Sequence, residues 1–403
     1  MTSTRITMGV EEEYLLLDAH SGLPSPRAAE VQAAADLEPV LDAGEVDSEL
    51  LQAQVETATP ICTELAEVAA ELSRFRGAVG GAARRSGCRL AATGGAPLFP
   101  REAPPVTDEQ RYLNLRTDAA RLVDEQLING MHVHVAVPDR HAGAAALGRA
   151  RPWLPVLVAL GSNSPYWDGR DTGFASWRTV VFGRWPVSGS PPYTADAATY
   201  EERVGALLDT GVIRDRGQIY WHARLSERYP TLEVRATDVQ LDVDSAVTIA
   251  GLIRALAATG LREACEGAPV LDPAGSVLHA AGWHAARHGL AGNLVHPLHG
   301  TPAKAHEVVA ALLDYVAPAL DEHGDTARVR EGVAYLLAGG AGAARQHEAM
   351  AGGGMPGLLD LIAPDPATLA AVRGKAWRSL RDQAAPGGRM RGRRDVRVND
   401  IEG

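Results

Sequence analysis

The chain has 403 residues, 46% of them hydrophobic, and a formal net charge of −11, enough apolar material for a sizeable core. No Pro/Gly/Ser linker and no internal repeat divides it, so a single catalytic-size domain with insertions is expected over residues 1–363. Its three cysteines, Cys62, Cys88 and Cys265, are odd in number and lack metal-ligand spacing, so a reducing compartment and no disulfide framework are expected.

The N-terminus is short, polar and acidic by residue 11, unlike a signal peptide, and no apolar stretch approaches transmembrane length. A cytoplasmic protein without a membrane partner is expected. The first element is a strand over 6–17, containing Gly9-Val10-Glu11-Glu12-Glu13-Tyr14. Strand side chains alternate, so Glu11 and Glu13 share one face and Glu12 takes the other, where glutamine should be tolerated. Alone, this is a solvated edge strand with three surface acids. Two carboxylates side by side also repel unless a cation lies between them, and hard divalent cations select carboxylate oxygens.

A helix is expected over 63–86, with Leu65, Val68, Ala69, Leu72, Phe75 and Val79 as a core stripe. A strand at 89–94 and a helix at 108–126 follow. The strand at 129–137 places Val133, Val135 and Val137 on one face and His132 and His134 on the other. A lone histidine there is ordinarily structural; two at i and i+2 suit a ligand pair equally well. A helix is expected over 140–161, then a turn-rich stretch at 162–178 that suits a substrate loop or an ordinary connection, with Trp167 and Trp177 as ligand-framing or buried aromatics. Strands are expected at 178–184, 218–225 and 231–237, the last carrying Glu233 and Arg235 on one face. Helices are expected at 197–209, 244–266, 302–322, 327–338 and 365–382.

Strands and helices do not alternate singly, which disfavours a doubly wound parallel sheet. The expected class is α+β: a curved, mainly antiparallel sheet with the active site on its concave face and helices packed behind. From Arg373 to Arg397 nine basic residues face two acidic ones, a local charge of +7. That tail lacks interleaved aromatics apart from Trp377, and the acidic body repels phosphate backbones, so nucleic acid is not an expected partner. A helix over 364–385 and a disordered basic end over 386–403 are expected instead.

Lysine usage constrains any phosphate chemistry. There are two lysines, Lys304 and Lys375, against 37 arginines, and neither lysine lies in a Gly-x-x-x-x-Gly-Lys loop. Bound phosphates would have to be held by metals and by arginines, for which Arg170, Arg178 and Arg235 are candidates.

Five ordered stretches, GVEEEYLLLD at 9–18, VETATPICTEL at 55–65, NGMHVHVAVPD at 129–139, LGSNSPYWDGRDTGFASWR at 160–178 and PTLEVRATDVQLDVDSAV at 230–247, resemble the glutamate–cysteine ligase type 2 group. Gly342-Ala343-Ala344-Arg345-Gln346 extends the likeness to about residue 350. These carboxylate–amine ligases belong to the glutamine synthetase-like superfamily. The resemblance implies that fold, ATP with Mg2+ or Mn2+ as cofactors, and amino acids as small-molecule partners, with homo-oligomers an open possibility. It implies that glutamate's γ-carboxylate takes the γ-phosphoryl group and that cysteine's amine then displaces phosphate. It carries Glu11 and Glu13 over as metal ligands, Glu49 and Glu56 as further ligands, His132 or His134 facing the metals, Glu233 closing the cluster and Arg235 reaching a phosphate. Glu49 and Glu56, seven apart, fit two helical turns or one side of a bend. One departure concerns substrate identity: members often carry Thr-His-Pro-Phe near the second strand, whereas this chain has Ala96 at the histidine position. A metal-dependent amidohydrolase, a phosphagen-kinase-like enzyme and a non-catalytic binding protein are the alternatives.

Overall fold

Seven strands form the main sheet: β1 (Met8–Asp18), β2 (Val46–Ser48), β3 (Gln54–Ala58), β4 (Cys88–Ala91), β5 (Gly130–Ala136), β6 (Ala223–Leu225) and β7 (Thr231–Asp238). In space they run β6-β7-β5-β1-β3-β2, with β4 also paired to β1, and every pairing is antiparallel. The α+β arrangement expected from the sequence is therefore present. The computed structural model describes residues 5–42 and 44–364. The expected helix at 365–382 and the basic tail lie outside those residues, and contacts gather the chain through Pro364 into one unit.

Alternation decides which face is buried. Val10, Val133, Val135, Leu232 and Val234 join one core with the helices Arg140–Ala150, Leu154–Leu160 and Val243–Cys265. The opposite face carries the acids, imidazoles and Arg235. A register shift between Val234 and Thr237 marks a bulge in β7, which bends the strand beside that polar face.

The helix Leu65–Arg85 buries the predicted stripe Leu65, Val68, Leu72, Phe75 and Val79. It also explains Glu12. That carboxylate is fully buried on the helix side of β1, where Arg76 Nη2 lies 2.5 Å from Oε1 and Arg76 Nε 3.0 Å from Oε2, and Tyr14 donates its hydroxyl as well. The sequence expectation of a tolerant surface acid is corrected: Glu12 is the buried partner of a half-buried arginine.

Several boundaries moved for local reasons. The expected helix 108–126 is two pieces, Gln110–Ala119 and Arg121–Asp124, broken at Ala120 with φ 47°. The expected helix 140–161 tightens into a 3-10 turn at Arg151–Trp153, where Pro152 removes a backbone donor. The expected strand 178–184 is instead a helix, Trp177–Phe182, capped by Ser176 accepting from Thr179 N. Its Thr-Val-Val run favours strand locally, but the cap and the packing of Arg178 prevail. The helices Ala28–Ala35, Gly275–His288 and Gly342–Ile362 were not anticipated; the last carries glycines and Pro356. The helix Val243–Cys265 also corrects one expectation: it is long and apolar enough to span a membrane, although 89% of its apolar window is buried in the core. Cys62 and Cys88 are buried, Cys265 is exposed, and none forms a disulfide.

Candidate active site

Strand register brings the predicted residues together. Across β1 and β5, Glu11 stands opposite His132; across β1 and β3, Glu13 stands opposite Glu56; across β5 and β7, His134 stands opposite Glu233. Because alternation points all of them to the same face, four strands contribute to one cluster. Glu49 reaches it from the turn between β2 and β3, so Glu49 and Glu56 are a bend pair and not helix acids. A cavity of about 340 Å³ is lined by Glu11, Glu13, Glu49, Glu56, His132, His134, Arg178, Glu233 and Arg235.

Glu11 is the hub. Its Oε2 lies 3.1 Å from His132 Nδ1 and its Oε1 3.2 Å from His134 Nε2. His132 Nε2 lies 3.4 Å from Glu13 Oε1, and His132 Nδ1 lies 3.9 Å from Glu56 Oε1. Thr231 Oγ1 holds His134 Nδ1 at 2.9 Å. The Nε2 atoms of both histidines are buried without a hydrogen bond, their carboxylate neighbours lying near but out of line. Two sets of ligand atoms each fall within 4.8 Å of one another: Glu11, Glu56 and His132, and Glu11, His134 and Glu233. Carboxylate oxygens with unpaired imidazole nitrogens are a donor set that fits a divalent cation in each place.

Electrostatics separates the acids. Burial raises Glu49 to about 7, with the Glu13 charge adding to the effect. Burial likewise pushes Glu56 well up, helped by the charges of Glu11, Glu49 and Glu13. Burial opposes ionisation of Glu11 too, but the adjacent imidazoles of His132 and His134 outweigh it and hold that carboxyl far below its usual range. Glu233 is also held low: burial works against it, and Arg235 and Arg224 more than compensate. Burial and the nearby Arg235 charge lower His132, whereas His134 is raised because its contact with Glu11 exceeds the burial penalty. Without a cation, the acids most repelled by their neighbours are those that take up protons.

Arg178 is placed by the 162–178 segment. Asp238 accepts from Asn163 N at 2.8 Å, Ser164 Oγ at 2.7 Å and Ser176 Oγ at 2.8 Å. These bonds pin the segment beside the end of β7. Ser164 Oγ in turn receives Arg178 N at 3.0 Å, and the Arg178 guanidinium runs over Gly130, where a Cβ would collide with it. Arg178 Nη1 donates to the Arg235 carbonyl at 3.3 Å, while Nε is buried without a partner. Gln346, in the late matching stretch, holds Asn163 through Nε2 at 2.7 Å to Oδ1.

Other candidates are not brought in. Arg170 is exposed on a two-residue strand and does not line the cavity, so the geometry gives it no place in the cluster. Trp167 packs on Phe99 and Trp177 on Phe174, both away from the lining. Ala96 is fully buried, its N–H bonded to Leu127 O at 3.0 Å, and also lies outside the lining. Sequence reasoning missed Arg224, which stands opposite Glu233 and donates Nε to Oε2 at 2.7 Å. The short loop after Leu225, followed by an antiparallel strand, was the signal that could have paired Arg224 with Glu233. It also missed the aromatic wall of Tyr112, Phe182, Trp185 and Tyr220, whose positions depend on tertiary packing.

The open face of the antiparallel sheet joins paired acids, imidazoles and arginines around one cleft, an arrangement suited to a metal- and ATP-dependent ligase. The chain belongs to glutamate–cysteine ligase family 2, whose model matches residues 7–363. A protein of Mycolicibacterium vanbaalenii, provisionally named glutamate–cysteine ligase 2-2, is 43% identical over 344 residues, covering 85% of this chain and 93% of the relative. A similarly named Streptomyces coelicolor protein is 42% identical over 348 residues, covering 86% of this chain and 94% of the relative. Among solved structures, the glutamate–cysteine ligase of Francisella tularensis, determined in complex with AMP, has TM-score 0.68 at 11% identity, covering 95% of this chain and 93% of that one. A bifunctional glutathione synthetase from Pasteurella multocida has TM-score 0.65 at 17% identity, covering 90% of this chain and 52% of that one. Both likenesses are of fold.

Proposed function

We propose that the chain forms γ-glutamylcysteine from glutamate and cysteine, consuming ATP and releasing ADP and phosphate through γ-glutamyl phosphate. The supporting observation is Glu11 shared between two sets of ligand atoms, Glu11–Glu56–His132 and Glu11–His134–Glu233. Glu13 and Glu49 flank the first set. Mg2+ or Mn2+ held there would neutralise phosphate charge during phosphoryl transfer. Arg178 and Arg235 each keep a buried Nε without a partner, donors suited to the spread charge of the transferring phosphoryl group.

A carboxylate resists amine attack because an oxide would have to leave. Transfer of the γ-phosphoryl group to the glutamate γ-carboxylate breaks the bond to ADP and supplies a leaving group. The cysteine amine then bonds to the acyl carbon, and phosphate departs. The same reading takes ATP and amino acids as the small-molecule partners, a cytoplasmic location, and neither nucleic acid nor membrane as partner.

A second reading keeps the mechanism and changes the amine or carboxylate. It rests on the family resemblance alone, in which histidine often stands at the position of Ala96; Ala96 itself is buried outside the cavity lining. Incubation with ATP, Mg2+, glutamate and a panel of amines, with products weighed by mass spectrometry, distinguishes the two. A γ-glutamylcysteine mass with cysteine preferred supports the first reading, and a different preferred amine or carboxylate supports the second. Hydrolysis without amide formation would contradict both.

A further inference from the structure

Glu233 is held by two arginines in unlike ways. Arg224 clamps it with both arms, Nε to Oε2 at 2.7 Å and Nη2 to Oε1 at 3.1 Å. The remaining nitrogen of Arg224, Nη1, is fixed by the carbonyls of Gly217 at 3.0 Å and Ile219 at 2.9 Å. Arg224 is therefore fully committed: every nitrogen of its fork is engaged, and its place on β6 opposite Glu233 is set by strand register. Arg235 touches the same carboxylate with Nη1 only, and that nitrogen also lies 3.4 Å from His132 Nδ1. Its Nε is buried with no partner, although the side chain lines the cavity.

A carboxylate with two free oxygens and a guanidinium two residues away on one strand face would ordinarily form a bidentate pair. Here Oε2 is already occupied by Arg224. We propose that Arg224 is a positioning residue: by clamping Glu233 it restricts that carboxylate to one nitrogen of Arg235, leaving the rest of the Arg235 fork to receive a polyphosphate anion. Arg224 acts through Glu233 and Arg235 and need not touch the anion. The inference rests on the reading of Arg235 as a phosphate contact.

The test is a double-mutant cycle on the full chain, with calorimetric affinity for inorganic tripolyphosphate in the presence of Mg2+ as the readout and melting temperature as a control. Arg224→Gln and Arg235→Lys should each weaken binding by about tenfold. The double variant should bind no more than about twofold more weakly than Arg235→Lys alone, because the first change acts through the second residue. Arg224→Lys, which keeps the charge and loses the clamp, should resemble Arg224→Gln, and it takes that variant's place in the cycle if the glutamine protein does not fold. Additive losses, wild-type affinity in Arg224→Lys, or no binding by the wild type would each overturn the proposal. Amide synthesis is measured separately: a non-additive cycle in a protein that makes no amide sinks the functional reading and leaves this one standing.

Discussion

Glu11 faces His132 across β1 and β5, and its other oxygen reaches His134 two residues along the same strand. One carboxylate thus stands between two imidazoles whose Nε2 atoms have no hydrogen bond. Substitution there should be felt by both ligand sets at once, whereas Glu13 lies beside the first set only.

We expect Glu11→Gln and Glu13→Gln each to lower divalent-cation affinity or turnover by at least about tenfold without unfolding the chain, with Glu11 the larger effect. Turnover measured across a Mg2+ titration checks this. Wild-type behaviour of both proteins at limiting Mg2+ would return these acids to surface residues.

Glu12→Gln should behave in the opposite way. The substitution leaves the half-buried Arg76 guanidinium without its counter-charge, and breaking a pair with one fully buried member costs about 2–3 kcal/mol. Denaturant unfolding should show that loss, while cation affinity of the folded protein stays close to wild type.

The pH dependence follows from Glu49 and Glu56. Glu49 is raised from 4.5 to about 7 by burial and by Glu13, and Glu56 is also raised, by burial and by the charges of Glu11, Glu49 and Glu13. The folded state therefore binds more protons than the unfolded one above the unfolded carboxyl range. Both favour folding at low pH relative to high pH, and the Glu49 contribution is lost as pH rises from 4.5 through about 7. Metal-free protein should lose stability across that window, and added Mg2+ should restore it, since cation binding favours the ionised carboxylates and releases protons. Melting temperatures at several pH values with and without Mg2+ check both signs; stability that rises with pH in the metal-free protein would contradict the assignment.

Gly130→Ala tests the path of Arg178. An added Cβ meets the Arg178 guanidinium, so the side chain must move off the strand end. A displacement near 1 Å at a reacting site costs about 100-fold, and turnover should fall by about that factor with little change in melting temperature. Unchanged turnover would free Arg178 from any role at the phosphate.

The acid, imidazole and arginine positions were legible in the sequence because they obey the two-residue period of a strand. Glu11 with Glu13, His132 with His134 and Glu233 with Arg235 needed only alternation to be placed on common faces. What alternation could not show was which strands lie side by side, and so it left Glu49 and Glu56 between helix and bend and gave no hint that Arg224 meets Glu233. Glu12 was misjudged for a related reason: the face opposite a polar cluster is covered by a helix, and only tertiary packing sets Arg76 against it. At residues 178–184 the β-branched run pointed to strand, and the Ser176 cap with the Asp238 bonds decided for helix. Arg170 matched a motif yet sits on an exposed hairpin, a case where likeness in sequence did not fix proximity.

In the proposed reaction a phosphoryl group is passed to the substrate carboxylate. Glutamate carrying 18O in its γ-carboxylate, incubated with ATP, Mg2+ and cysteine, tests it through the isotope shift in the 31P spectrum of the released phosphate. Acyl phosphate formation predicts that each phosphate released carries one oxygen from the carboxylate, with ADP as the other product. Label appearing in AMP, or unlabelled phosphate accompanying amide formation, would rule out an acyl phosphate.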